Sequence, residues 1–265
     1  MNKRIKKWVN GRIIYYQDRA DAAYWDRYWQ ASISEEFFNK YQQGSLDEYK
    51  SIFLKYFKKE DAILEAGCGT GKYVLAFRSR GFLRVEGIEW GRGTVQEVRK
   101  IYPDLPIYVG DATKIEKPDN YYDGYISLGV VEHLFSGPKP FIDEAFRVTK
   151  PGGYAIFTVP AINVLRMIKG HLGCYNGNAD ASDFYQYAFS KSEFTCFLQE
   201  SGFQVVETGS FAGYFGLLEE FPQLFKFLDH IKGGWRIKRF LKNSTMINIF
   251  GHLSFFVCTK NKNSS

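Results

Sequence analysis

Between residues 61 and 159 short apolar runs alternate with stretches of helical period. The runs at 61–67, 83–89, 106–110, 122–128 and 154–159 are bounded by Gly, Pro, Asp or Asn, and their length predicts strands. Helices are predicted over 71–80, 93–101 and 140–149, stopped in turn by Gly81, Pro103 and Pro151-Gly152-Gly153. Strands alternating with helices make βαβ units, so the fold class is α/β, a parallel sheet covered by helices. After Pro160 the alternation breaks. Residues 161–187 carry Gly, Asn, Asp and Tyr without period and predict an inserted loop or lid. A helix over 191–201 and a strand over 203–207 resume the pattern, a long helical insert follows at about 216–243, and 253–259 predicts a last strand. Residues 261–265 read as a frayed tail. Ahead of this core Tyr24, Trp25, Tyr28 and Trp29 fall on one face of a helix. The expected organisation is a helical lid segment over 1–50, then one domain over 51–265 with cap insertions at about 161–187 and 212–250.

Composition narrows the class. The 265 residues are 45% hydrophobic and 24% charged, which excludes wholesale disorder. Aromatics reach 18%, enough for a large core and an apolar ligand pocket. The net charge of +6 is concentrated in the opening MNKRIKKW and in WRIKRFLK, too local a bias to make nucleic acid the expected partner. Four single cysteines with no CxxC pair predict reduced thiols, a cytoplasmic setting and no metal site. The basic N-terminus is not followed by an apolar h-region, so no cleaved signal is expected. No apolar run reaches 18 residues.

The candidate chemistry starts at Glu65-Ala66-Gly67-Cys68-Gly69-Thr70-Gly71-Lys72, where a strand hands over to a helix. A phosphate-binding Walker loop needs glycine five residues before Gly71-Lys72 and Ser or Thr after it; Ala66 and Tyr73 stand there. The dinucleotide fingerprint G-x-G-x-x-G is also missed, because the glycines are spaced G-x-G-x-G. The acid Glu65 inside the motif suits a third ligand, S-adenosylmethionine, which has no pyrophosphate. Glu89 follows Gly71 by 18 residues at the end of the next strand, a position from which an acid accepts bonds from ribose hydroxyls. Trp90 beside it offers a flat face for adenine.

With these residues the chain resembles the class I S-adenosylmethionine-dependent methyltransferases, most closely the type 11 small-molecule group, strongly over 55–160 and more loosely over 188–208. The resemblance implies a Rossmann-like, seven-stranded, mostly parallel sheet with helices on both faces and an antiparallel last strand. It places Ala66, Gly67, Cys68, Gly69 and Gly71 under the methionine part of the cofactor, with Glu65 serving its amino group or ordering the loop. It makes Asp111-Ala112 an adenine-reading turn, although an Asp after a strand is also a common turn former. Leu128, Gly129 and Val130 would line the mouth beside the transferable methyl. His133 is the candidate general base, a side chain whose ordinary pKa lies near neutrality. The N/D-P-P-F/Y motif of enzymes acting on nucleic-acid bases is absent.

The expected function is methyl transfer to a hydroxyl or other nucleophile of a small or lipid-like molecule. The alternatives are an RNA or protein methyltransferase, or a non-catalytic cofactor-binding subunit. Displacement from a sulfonium needs positioning and a dry site more than a protein nucleophile or a metal. The aromatic and basic residues over 217–242 suit either the roof of a pocket or contact with a membrane surface.

Overall fold

The structure, a computed structural model, describes residues 4–244 and 249–261. It opens with a hairpin, β1 (Ile5–Val9) and β2 (Arg12–Tyr16), so the opening segment is not wholly helical as expected. The turn is Asn10-Gly11, both at positive φ, the backbone that two-residue hairpins require. Three helices follow, α1 (Ala22–Gln30), α2 (Glu35–Gln42) and α3 (Lys50–Tyr56).

The predicted alternation is then realised as β3 (Ile63–Ala66), α4 (Lys72–Ser79), β4 (Val85–Glu89), α5 (Arg92–Ile101), β5 (Ile107–Val109), β6 (Tyr122–Leu128), α6 (Lys139–Val148) and β7 (Thr149–Pro160). Residues 161–187 are not one irregular loop. They hold α7 (Val164–His171) and the start of β8 (Phe184–Ala188), which pairs antiparallel with β2 to complete a three-stranded sheet, β1-β2-β8. Next come α8 (Lys191–Glu200) and β9 (Phe203–Phe211). The helical insert is three helices, α9 (Gly213–Glu220), α10 (Pro222–His230) and α11 (Gly234–Asn243), before β10 (Leu253–Lys260). Of the predicted tail, residues 262–265 lie outside the described residues.

The large sheet has the order β5-β4-β3-β6-β7-β10-β9, with β10 antiparallel to both neighbours. Alternate side chains feed two core layers. Ile63, Ile156, Phe255 and Val257 pack with α2, α3 and α4, whereas Leu64, Phe157, Phe256 and Cys258 pack with α6 and α8. Strand order reverses between β3 and β6, and open α/β sheets place ligands in the crevice at the C-terminal ends of such a pair.

A buried ion network fastens the C-terminal insert to the small sheet. Arg166 of α7 is fully buried and pairs with Glu219 and Glu220 of α9, while Lys6 of β1 lies 2.9 Å from each of those carboxylates. Lys169 and the Tyr175 hydroxyl each donate to Glu220 at 2.6 Å. Burial alone would raise the Glu220 carboxyl, but Lys6, Lys169 and Tyr175 outweigh it and hold the pKa at about 2. A carboxylate depressed in the folded state adds stability above its ordinary value of 4.5, and that stability is lost as pH falls towards about 2. Urea midpoints should therefore drop between pH 5 and pH 2.5 in the native chain. The drop should shrink in Glu220→Gln; an unchanged acid profile there would remove Glu220 as its cause. Truncating Arg166 to Ala takes one partner from the buried Glu220 and the half-buried Glu219, which keep Lys6 and Lys169, so it should cost less than the roughly 3–5 kcal/mol of a fully stranded buried charge.

Candidate active site

A cavity of about 480 Å³ opens at the switch point, bounded by the ends of β3, β4, β5 and β6. Gly67 ends β3 at φ +75°, and a Cβ there would lie 2.5 Å from Val130 Cγ2. The chain can bring the loops after β3 and β6 this close only with glycine at 67. The loop amides are spent internally. Gly67 and Cys68 donate to the Ile88 carbonyl at 2.8 and 2.9 Å, Gly71 donates to the Cys68 carbonyl, and Gly69 donates to a Glu89 oxygen at 2.9 Å. A diphosphate cradle needs such amides free at the helix start. The amides of Gly67, Cys68, Gly69 and Gly71 are not free in this way.

Glu89 is buried at the end of β4, and its second oxygen accepts from the Gly91 amide at 2.9 Å. Burial raises its pKa, opposed by the amides of Gly91, Gly69 and Trp90. A carboxylate has about four acceptor positions, so capacity remains for a further donor from the cavity it lines. Trp90 lines the same wall, half exposed, and Asp111 and Ala112 continue it. One Asp111 oxygen accepts from both the amide and the hydroxyl of Thr113, so this residue shapes its turn as well as facing the cavity. Leu128, Gly129, Val130 and His133 form the opposite wall.

Five predicted residues do not line the cavity. Ala66 is a sheet residue with no exposure, and Cys68 lies beneath the loop, its thiol pKa raised by burial. Gly69 faces the Trp29 ring, and a Cβ at Gly71 would meet Ile107 of β5 at 2.9 Å. Glu65 is buried with one carboxyl oxygen lacking a hydrogen-bond partner, and burial pushes its pKa up to about 8 against the pull of Lys72.

His133 sits on a single 3-10 turn, Val131–His133, after β6. Its Nδ1 lies 2.8 Å from the Tyr185 carbonyl, which can only accept; the neutral ring therefore carries its proton on Nδ1 and a lone pair on Nε2. Trp25 and Tyr185 each present a ring edge-on at a centroid distance of 4.9 Å. Burial pulls the pKa down to about 4, against the Tyr185 and Gly129 carbonyls. The expectation of a base titrating near neutrality is thus corrected: the ring is neutral, and weakly basic, through the physiological range. Glu132 is buried beside the ring, its Oε1 3.9 Å from His133 Nε2, and burial pushes its pKa up to about 8.

Trp25 and Trp29 of α1 close one side of the cavity, so the aromatic helix packs over the site, whereas neither Tyr16 nor Tyr28 lines it. Phe135, Phe141 and Phe184 add an apolar wall, with Arg19 at the rim. The pattern reading did not single these out, because their signal is scattered over four segments. Asp26 was also missed. Its carboxylate accepts from the Gly93 and Thr94 amides at 3.1 and 2.7 Å and from the Thr94 hydroxyl at 2.9 Å, capping α5 from another helix. Losing such a cap costs about 1 kcal/mol. Asp26→Ala should therefore speed amide exchange in α1 severalfold, and unchanged protection would mean that α1 is held by its ring contacts alone. Among the described residues no cluster of His, Cys, Asp or Glu could hold a metal.

The family described as methyltransferase domain, type 11, matches residues 64–157, the stretch that carries the glycine loop, Glu89, Asp111 and His133. Over that stretch the chain is similar to methyltransferase domains. A Mycolicibacterium smegmatis protein named a probable S-adenosylmethionine-dependent methyltransferase is 32% identical to it over 152 residues, 57% of this chain and 55% of that protein. The malonyl-[acyl-carrier protein] O-methyltransferase of Serratia marcescens is 31% identical over 40% of this chain and 41% of its own. The chain thus spans about half the length of the curated relatives it matches. A SAM-dependent methyltransferase from Methanosarcina mazei superposes with a TM-score of 0.54 at 18% identity, over 79% of this chain and 97% of that one, and shows the shared fold.

Proposed function

We propose that the protein is an S-adenosylmethionine-dependent methyltransferase acting on a hydroxyl or other nucleophile of a small or lipid-like molecule. One observation carries the reading: beside the loop after β3, four of whose amides are spent within the protein, the cavity combines a buried ribose-type acid, a flat indole and a second acidic turn. In this reading Glu89 accepts from the ribose hydroxyls, Trp90 and Ala112 flank adenine, and Asp111 accepts from its amino group through the oxygen that Thr113 leaves open. The backbone at Gly67, which a Cβ would obstruct, supports the methionine part, and Glu65, buried away from the cavity, orders the loop. When bound, the cofactor supplies a methyl group on a sulfonium leaving group.

The protein's remaining task is to hold an acceptor in line and exclude water. Trp25, Trp29, Phe135 and Phe184 suit that task, and they favour an acceptor with an apolar body. His133 Nε2 is the proton acceptor on the wall next to Val130. The name of the Serratia relative supports an oxygen nucleophile. Calorimetric titration with S-adenosylmethionine, its demethylated product and NAD tests the reading: the first two should bind and NAD should not. Binding of NAD with none of S-adenosylmethionine would overturn it.

A further inference from the structure

Among the described residues the C-terminal insert contributes none to the cavity wall, so the expected roof over the pocket is not formed by α9, α10 or α11. Its inner side is ordinary core: Phe225 and Leu228 of α10 are buried. Its outer side is unusual. Phe221, Leu224, Phe227 and Ile231 recur at spacings of three and four, one stripe along α10, and their exposures run from 37% to 60%. On α11, which packs against α10, Ile237 and Phe240 are also exposed, the latter at 69%. The Asp229–Lys238 ion pair ties the two helices together, and the Lys169 ammonium over the Phe221 ring joins α10 to α7, which bears its own exposed Val164, Ile168 and Leu172.

The charge around this stripe decides what fits it. Over 222–244 six Lys and Arg face a single acid, Asp229, a net +5 out of +6 for the whole chain. Protein–protein interfaces are depleted in lysine at their centres. Single-stranded nucleic acid uses basic grooves with aromatic platforms, and the aliphatic Leu224, Ile231 and Ile237 cannot stack on bases. Aromatic and aliphatic side chains flanked by Lys and Arg match an interfacial helix on a bilayer with anionic headgroups. We propose that the outer face of α10 and α11 docks the protein on an anionic lipid surface. Among the described residues no helix is long and apolar enough to cross a membrane, so the contact is peripheral. The Arg166–Glu219–Glu220–Lys6 network fixes the docking face to the sheet whose strand β8 supplies Phe184 to the cavity. The inference stands apart from the methyl-transfer reading.

Flotation of the full chain with vesicles tests it, comparing pure phosphatidylcholine with phosphatidylcholine containing about a third phosphatidylglycerol. The protein should float with the anionic vesicles, weakly or not at all with the neutral ones, and less as salt rises. Arg236→Glu/Arg239→Glu should weaken binding well over about tenfold, since each basic charge at an anionic leaflet is worth about fivefold. Phe227→Ser/Phe240→Ser should do the same by removing the inserted rings. All four positions are exposed, so folding and cofactor affinity should be untouched. Several results would overturn the proposal. These are no flotation with either vesicle, or flotation that ignores both double variants. A self-association that Phe227→Ser/Phe240→Ser abolishes would assign the face to a second copy. Salt-sensitive RNA binding lost only in the arginine variant would assign it to nucleic acid.

Discussion

Replacing Glu89 with Ala is expected to weaken S-adenosylmethionine binding by at least about a hundredfold. The substitution removes two things at once. Ribose hydroxyls lose a charged acceptor, worth roughly 1.5–3 kcal/mol, or ten- to a hundredfold. The amides of Gly69 and Gly91 also lose the carboxylate that both donate to at 2.9 Å, which frees the glycine loop from the end of β4. Glu89→Gln separates the two effects, because an amide oxygen can still accept one of the bonds while the charge is gone. It should fall between Ala and the native chain. Calorimetry on both variants decides the matter: unchanged affinity in Glu89→Ala would leave Glu89 a loop clamp and nothing more.

His133→Gln should lower kcat by at least about a hundredfold, within the 10²–10⁴ range for loss of a general base, while cofactor affinity stays within a few-fold. The pH profile carries the sharper test. Because burial holds the imidazole near 4, Nε2 keeps its lone pair from pH 9 down to about pH 5, and turnover attributable to this ring should stay level through 6.5. Below about pH 5 it should fall as the ring takes a proton. A break near 6.5 would mean that the site is wetter than its packing against Trp25 and Tyr185 implies. Full turnover in His133→Gln would instead make the ring a packing residue and point to an acceptor already anionic. A folded-state pKa below the ordinary 6.5 also means that His133 subtracts stability as pH falls from 6.5 towards 4, since the unfolded chain then binds the proton more readily.

The alternation of β3 to β7 with their helices was legible because strands buried on both faces are short apolar runs and their stops are Gly and Pro. The hairpin β1–β2 left a clear trace, Asn10-Gly11 between Val9 and Arg12, which was hidden by reading the opening only for its charge. Helix α7 was obscured by a tyrosine- and glycine-rich context. Position 170 in its last turn is glycine because a Cβ there would meet the Trp8 ring at 2.4 Å. The cavity wall was visible residue by residue at strand ends, since parallel strands deliver their C-terminal residues to one edge whatever surrounds them.

Local pattern by itself determined the sheet's alternation, the glycine loop, and the acids Glu89 and Asp111 at its rim, because each depends on neighbours within a few residues. Contacts between distant segments decided the rest. Asp26 caps a helix 68 residues away, and the tautomer of His133 is set by a carbonyl 52 residues on. The same holds for the depressed basicity of that ring, the two indoles over the loop, and the outward turn of the stripe on α10. Burial and electrostatic environment are properties of the packed neighbourhood, which a one-dimensional pattern does not contain until the chain has folded.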